Sequence, residues 1–373
     1  MPLYHSSAAV LGLCTTLNSG ATICIGKKFS TKTFWKEVRD SKATVIQYVG
    51  ETCRYLLAAS PQIDPATGKD LDKKNHVRMA FGNGLRPDVW NKFKERFDIG
   101  IIAEFYSATE GPSASWNYSK NDFSKGAIGR NGWLLGLLMN KTWAPVELNW
   151  ETEEPWRDPV TGFCKKVKRG EPGEMLCKLD ETDIEKNFQG YFNNKKSTSS
   201  KVMRNVFVKG DAYFRTGDMI SWNPEGLVYF NDRIGDTFRW KSENVSTNEV
   251  SEALGNHPLV HEANVYGVEL PHHDGRAGCV GLILAEQPST RLLQDLADHA
   301  HKHLPRFAVP LFIRMMKVMQ TTGTNKQQKH VVRAQGVDPS KIGDDELFWL
   351  KGGTYVKFSK KDWEELNGGR VRL

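Results

Sequence analysis

The chain has 373 residues, 39% of them hydrophobic and 25% charged, a composition that excludes disordered, collagen-like and fibrous classes. Lysine and arginine exceed aspartate and glutamate by 51 to 44, a net charge of +7 that suits anionic small molecules or surfaces and makes no case for nucleic acid. Six cysteines without a C-x-x-C pair argue against a zinc ribbon or a disulfide-stapled secreted domain.

No run reaches the roughly 18 apolar residues of a membrane-spanning helix. Ala8 to Cys14, Gly132 to Met139 and Ala277 to Ala285 come nearest, and leave peripheral membrane contact open. The first residues lack the basic start and the cleavage pattern of a signal peptide.

Along the chain, Ala21 to Gly26 and Ala43 to Val49 are β-branched runs, predicted as strands. Between them Ser30 to Asp40 is predicted as a helix capped by Ser30, with Phe34, Trp35 and Val38 on one face. A helix over Cys53 to Ala59, a strand over Val77 to Phe81, a helix over Pro87 to Phe97 with proline in its first turn, and a strand over Ile101 to Tyr106 complete the series. Alternating strands and helices imply right-handed crossovers and a parallel sheet, whose ligands bind beyond the carboxyl ends of the strands. Two loops then face a site: Gly82-Asn83-Gly84 and Ser107-Ala108-Thr109-Glu110-Gly111.

Residues 111 to 234 read as short strands among turns, with an acidic patch at Glu151 to Asp158 and a lysine-rich patch at Lys195 to Lys209, both taken as solvated loops. From Gly235 a second α/β unit is predicted. Ser246-Thr247-Asn248-Glu249 forms a capping box for a helix that Gly255 and Pro258 close. Strands over Glu262 to Val268 and Ala277 to Ala285, a helix carrying Leu292, Leu293, Leu296, Ala297 and Ala300 on one face, and a strand over Pro310 to Met315 follow.

Four strings carry chemistry. In Tyr106-Ser107-Ala108-Thr109-Glu110 an aromatic ring can stack a base, a hydroxyl can bind a phosphate oxygen and a carboxylate can hold a hard divalent cation. In Phe214-Arg215-Thr216-Gly217-Asp218, with Arg233 fifteen residues on, a carboxylate after a glycine turn can accept from a ribose diol and an arginine can donate to it. The third string runs from Asp232 to Ser246. The fourth, Thr321-Thr322-Gly323-Thr324-Asn325-Lys326, offers one lysine suited to charge developing between a carboxylate and a phosphate. His299 with His303, and His272-His273, are read as a polar helix face and a loop rather than metal ligands.

Taken in this order, the strings resemble the adenylate-forming superfamily of acyl-CoA synthetases. Met1 to Ser6, Gln47-Tyr48-Val49-Gly50-Glu51 with Cys53-Arg54-Tyr55-Leu56, Phe81 to Arg86 and Gly235 to Lys241 narrow the resemblance to the very long-chain acyl-CoA synthetase and fatty acid transport protein family. The fold it implies is α/β: a parallel-sheet subdomain plus a β-rich subdomain over residues 1–234, part of an adenylation domain, then a small mobile α+β domain over 235–373. The activity it implies is ATP-dependent conversion of long- or very long-chain fatty acids to acyl-CoA through an acyl-adenylate, coupled to fatty acid uptake, with ATP, Mg2+ and CoA required.

By the same resemblance Tyr106 packs on adenine, Gly82, Asn83 and Gly84 line the nucleotide pocket, and Asp218 and Arg233 take the ribose. Thr109 contacts the α-phosphate, Glu110 holds the metal and Lys326 serves adenylation. Gly235 and Asp236 form a hinge, and Trp240, Lys241, Ser242 and Glu243 a CoA-facing loop. Two departures stand out. The family's phosphate loop is expected upstream of residue 1, so the alternative reading is an N-terminally truncated, non-catalytic member that binds nucleotide or lipid weakly. Ser242 stands where glycine is usual, and its Cβ disfavours a positive φ. Transfer to a carrier-protein thiol is disfavoured by the Trp240 string. The resemblance suggests peripheral association with the cytosolic face of endoplasmic reticulum, peroxisome or plasma membrane. Val371-Arg372-Leu373 is a poor peroxisomal signal. The sequence sets neither acyl length nor oligomeric state.

Overall fold

The computed structural model describes residues 2–108, 110–319, 321, 327–371 and 373, with the backbone alone at Trp133. The chain divides into two compact units, Met1–Ile234 and Gly235–Leu373.

In the first unit, strands β1 (Val45–Val49), β2 (Met79–Asn83) and β3 (Ile101–Ser107) run parallel, and β4 (Ala114–Ser119) pairs antiparallel with β3. Helices α1 (Phe34–Asp40), α2 (Gly50–Ala58) and α3 (Pro87–Phe97) accompany them. Trp35, Phe93 and Phe97 form the aromatic centre of their core, with Trp35 stacked on Phe97 at 4.4 Å. Pro87 opens α3 where a missing N–H costs nothing, and Asp98 in the left-handed region (φ 52°) closes it. Arg54 on α2 meets Asp88 on α3 at 2.8 Å, both buried.

Several predicted elements differ, and α2, expected from Cys53, starts at Gly50. Ala21 to Gly26 is not a strand: the run is largely exposed and, among the described residues, no strand pairs with it, so nothing answers its backbone groups. Ser30 does not cap a helix. Its carbonyl accepts from the N–H groups of Thr33 and Phe34 in a turn, and α1 starts at Phe34. The strand predicted over Val77 to Phe81 spans Met79–Asn83, so Gly82 and Asn83 belong to β2 and only Gly84 lies beyond it. Glycine fits inside that strand because a Cβ at Gly82 would stand 2.3 Å from the Tyr48 carbonyl oxygen and 2.6 Å from its ring.

A second sheet of six strands follows. Its path is β5 (Gly129–Arg130), β10 (Leu227–Arg233), β9 (Ala212–Trp222), β7 (Pro172–Lys178) and β6 (Trp143–Val146), with β8 (Val202–Arg204) on β9. Helix α4 (Trp133–Met139) lies between β5 and β6 in the chain. Phe188, Phe214, Ile220 and Trp222 belong to the core of this sheet.

The second unit opens with a hairpin, β11 (Phe238–Trp240) and β12 (Glu243–Val245), then helix α5 (Thr247–Gly255). As expected, Ser246 caps α5, its Oγ accepting from the Glu249 N–H at 3.2 Å. Five strands make one sheet in the order β13 (Val260–Glu269), β14 (Arg276–Leu284), β15 (Phe312–Met315), β16 (Glu346–Lys351) and β17 (Thr354–Lys357). Helix α6 (Thr290–His303) buries Leu292, Leu293, Leu296, Ala297 and Ala300.

Candidate active site

The residues expected around the nucleotide meet where the ends of β3 and β10 adjoin the bulge in the middle of β9. Tyr106 occupies the penultimate position of β3, and its hydroxyl donates to Asp218 Oδ2 at 2.7 Å. Asp218 pairs across the ladder with Arg233, whose Nε lies 3.4 Å from Asp218 Oδ1. The local sequence accounts for this aim. Gly217 takes φ 76°, the pairing of β9 with β7 breaks between Arg215 and Met219, and the bulge turns Asp218 towards Tyr106.

Burial raises the Asp218 carboxyl above the usual range, while Tyr106, Arg233 and Lys201 each pull it back down. Burial also pushes the Tyr106 hydroxyl well above its ordinary value, and the Asp218 charge adds to the shift. Tyr106 therefore stays a proton donor, leaving the remaining lone pairs of the carboxylate for hydroxyl donors.

The adjacent loop is held from beneath. Gly82 pairs with Glu104, so Gly84 leaves β2 beside the end of β3. Gly84 has φ 77°, and a Cβ on Gly50 would come within 1.7 Å of its carbonyl oxygen, so both positions require glycine. Asn83 Oδ1 is buried and, among the described residues, has no hydrogen-bond partner. Glu104, which the sequence reading passed over, fixes this loop: Oε1 accepts from the Leu85 N–H at 3.1 Å and Oε2 from the Tyr48 hydroxyl.

Burial raises the Glu104 carboxyl from 4.5 to about 8, against the lowering effect of those hydrogen bonds. Between these two values the unfolded chain ionises Glu104 while the folded chain keeps it protonated, so its contribution to stability is complete below pH 4.5 and lost as pH rises towards 8. The loss is at most about 1.4 kcal/mol per pH unit. Glu104→Gln, neutral and still able to accept, is expected to flatten that decline in denaturant titrations at pH 5 to 8; an unchanged pH slope would contradict this environment for Glu104.

After β3 the chain is pinned at both ends. Glu110 Oε1 accepts from the Tyr191 hydroxyl at 2.8 Å, and Ser113 Oγ accepts from Trp143 Nε1. Burial, then the bond to Glu110, pushes the Tyr191 hydroxyl up to about 12. Among the described residues no cluster of three His, Cys, Asp or Glu side chains could hold a metal. A single carboxylate fits Mg2+ that arrives on phosphates, an ion that takes only one or two protein carboxylates. Thr109 and Lys326 lie outside the described residues, and their roles rest on the sequence.

In the second unit Asp236 is clamped by Lys329 and Arg333, each at 3.3 Å, and the Gly235 carbonyl accepts from Arg333 at 3.0 Å. Trp240 is buried, bridged to Gly275, whereas Lys241, Ser242 and Glu243 are exposed. The two-residue turn places Lys241 at φ 51° and Ser242 at φ 67°, the combination that favours Asn-Gly or Asp-Gly. Ser242 thus occupies a left-handed position without glycine's freedom. Ser242→Gly is expected to stabilise this unit by about 0.5–1 kcal/mol in denaturant unfolding; a loss of stability would contradict the turn geometry. The histidines are structural: His299 Nε2 bonds the Ala253 carbonyl at 2.9 Å, and His272 Nε2 the Asn367 carbonyl at 2.9 Å.

A buried carboxylate bonded to a tyrosine and an arginine, beside a glycine turn at the carboxyl ends of parallel strands, suits a nucleotide-binding class, and family models agree. Residues 1–182 match the AMP-binding enzyme model and residues 249–326 the AMP-binding enzyme C-terminal domain, and the chain belongs to the AMP-binding enzyme family. Within it, the chain is 41% identical over 377 residues to the very long-chain fatty acid transport protein of Cochliobolus heterostrophus, covering 100% of this chain and 57% of the relative. It is 40% identical to the Saccharomyces cerevisiae protein of the same name, covering 56% of it, and 41% identical to isopenicillin N epimerase component 1 of Hapsidospora chrysogena, covering 61%. The chain therefore spans less than two thirds of each of these relatives.

Solved structures share the fold. The ATP-bound RpMatB-BxBclM chimera B1 aligns with a TM-score of 0.68 at 22% identity, over 90% of this chain and 59% of that one. The anthranilate CoA ligase AuaEII with anthranoyl-AMP gives 0.67 at 19%, over 89% and 57%. The expected fold, an α/β subdomain and a β-rich one followed by a smaller unit, is the one observed.

Proposed function

We propose that the chain belongs to an ATP-dependent ligase that converts long- or very long-chain fatty acids to acyl-CoA and thereby supports their uptake. The observation that carries this reading is the convergence of Tyr106, Asp218 and Arg233 beside Gly84 in one unit. In the first half-reaction a fatty carboxylate oxygen bonds to the α-phosphorus of ATP and pyrophosphate leaves. In the second, the CoA thiol, giving up its proton, bonds to the acyl carbon and AMP leaves. The thioester is too polar to recross a bilayer, so activation keeps the free acid gradient inward.

Asp218 and Arg233 hold the ribose, Tyr106 packs against adenine and orients Asp218, and Asn83 accepts from the adenine amino group. Thr109 contacts the α-phosphate, and Lys326 meets the charge between carboxylate and phosphate. Glu110 holds Mg2+, which when bound neutralises phosphate charge. Residues 235–373 act as the mobile domain, turning about Gly235 and Asp236, with the Lys241 to Glu243 turn facing CoA.

The test incubates the purified chain with ATP, Mg2+, CoA and acids of increasing length. The expected result is one AMP per thioester, with long acids preferred. Nucleotide binding without pyrophosphate release for any acid would overturn the reading.

A further inference from the structure

The two faces of the second sheet carry different chemistry. Side chains alternate along a strand, so Phe214 on β9 lies in the core that Tyr106 packs against, while Tyr213 lies in another with Val146, Cys164 and Leu176. On that second face Tyr213 lines a groove of about 820 Å3, a volume that suits a small molecule. Trp156, Phe163 and Phe207 extend the aromatic lining, and Lys141, Lys165, Lys166 and Lys178 supply cations.

The charges of the lining do not cancel. Lys165 is matched by Glu147 at 2.6 Å and Lys178 by Glu181 at 3.2 Å, but among the described residues no carboxylate pairs with Lys141 or Lys166. The Asn140 carbonyl, one position before Lys141, accepts from Lys166 Nζ at 3.2 Å, which brings the two unmatched lysines to one end of the groove. Lys166 Nζ also stands 5.1 Å from the centre of the Phe207 ring. The two aspartates of the lining are engaged by backbone: Asp211 accepts from the N–H groups of Val206, Phe207 and Val208, and Asp158 from those of Val160 and Thr161. Burial, and then Arg169, lower the Lys166 amine below its ordinary value, a cost that a bound anion reverses.

We propose that this groove binds a nucleoside phosphate, with the base against Trp156 and the phosphates on Lys141 and Lys166. Flat aromatic side chains accept a base of any identity by stacking, and unanswered ammonium groups accept the phosphates joined to it. Neither feature alone selects a nucleotide; one groove of this size presents both. The site lies on the face of β9 turned away from Tyr106, so it is additional to the one at Asp218 and does not rest on the ligase reading.

Calorimetric titration with ADP tests it. The parent chain should take up two ADP, and Asp218→Ala, which weakens the first site, should keep one. Lys141→Glu with Lys166→Glu should weaken the groove site about a hundredfold, about tenfold for each charge-assisted bond lost, with an unchanged melting temperature. Trp156→Ala should weaken it about tenfold and Trp156→Phe should restore most of the loss. Pyrophosphate, which has no ring, should bind the groove about tenfold more weakly than ADP. Uptake of a single ADP that Asp218→Ala abolishes would overturn the proposal and leave the ligase reading standing. A single ADP that the lysine pair abolishes and Asp218→Ala spares would do the reverse. A second ADP indifferent to the lysines and to Trp156, or pyrophosphate bound as tightly as ADP, would also overturn the proposal.

Discussion

Replacing Asp218 with alanine is expected to weaken AMP binding about a hundredfold, measured by calorimetric titration. In the proposed complex the carboxylate accepts from two ribose hydroxyls, each such charge-assisted bond being worth about 1.5–3 kcal/mol, and a loss near 3 kcal/mol corresponds to about two decades in affinity. The substitution also strips the Tyr106 hydroxyl of its partner, so Tyr106 is no longer held in place. Arg233→Ala should cost less, about tenfold. Its side chain is 62% exposed and competes with water for the same hydroxyls, whereas Asp218 is 10% exposed. An Asp218→Ala chain that binds AMP as tightly as the parent would place the ribose elsewhere.

Replacing Lys326 with alanine is expected to divide the two half-reactions. Removing a positioned charge from a transition state typically slows the step about 10²–10³-fold, so formation of acyl-adenylate should fall by that factor in single-turnover measurements. Thioester formation from supplied acyl-adenylate should be little changed, because no pyrophosphate leaves in that step. Equal slowing of both steps would assign Lys326 to binding or folding instead.

The sequence was most readable where one physical signal dominated. Pro87 marks the start of α3, and the apolar runs of β1 to β3 suit strands buried on both faces. It was least readable where polar residues point inward. In β4, Ser115, Asn117 and Ser119 are buried while Trp116 and Tyr118 are exposed, the reverse of the usual alternation. Asn117 is tolerated because its Nδ2 donates to the Ser124 and Ala127 carbonyls, bonds that no local pattern announces. Strands β16 and β17 were likewise unanticipated: β16 is defined by pairing onto β15 far upstream, and β17 by pairing onto β16.

At the site, motif order identified Tyr106, Asp218 and Arg233, but the groups that position them needed the fold. Glu104 could have been flagged as a lone carboxylate within the buried run Ile101 to Tyr106, yet its partners Tyr48 and Leu85 come from other elements. Tyr191 sits 81 positions from Glu110 in a segment with no motif of its own. Ser242 was legible as a departure; the left-handed turn beneath it gives that departure an energy.

The most direct measurement is a crystal structure of the chain with a non-hydrolysable acyl-adenylate. The account predicts both ribose hydroxyls within hydrogen-bond distance of Asp218 and Arg233, the adenine against Tyr106 and its amino group on Asn83 Oδ1. A ligand seated away from β3, β9 and β10, with Asp218 still engaged only by Tyr106 and Arg233, would contradict it.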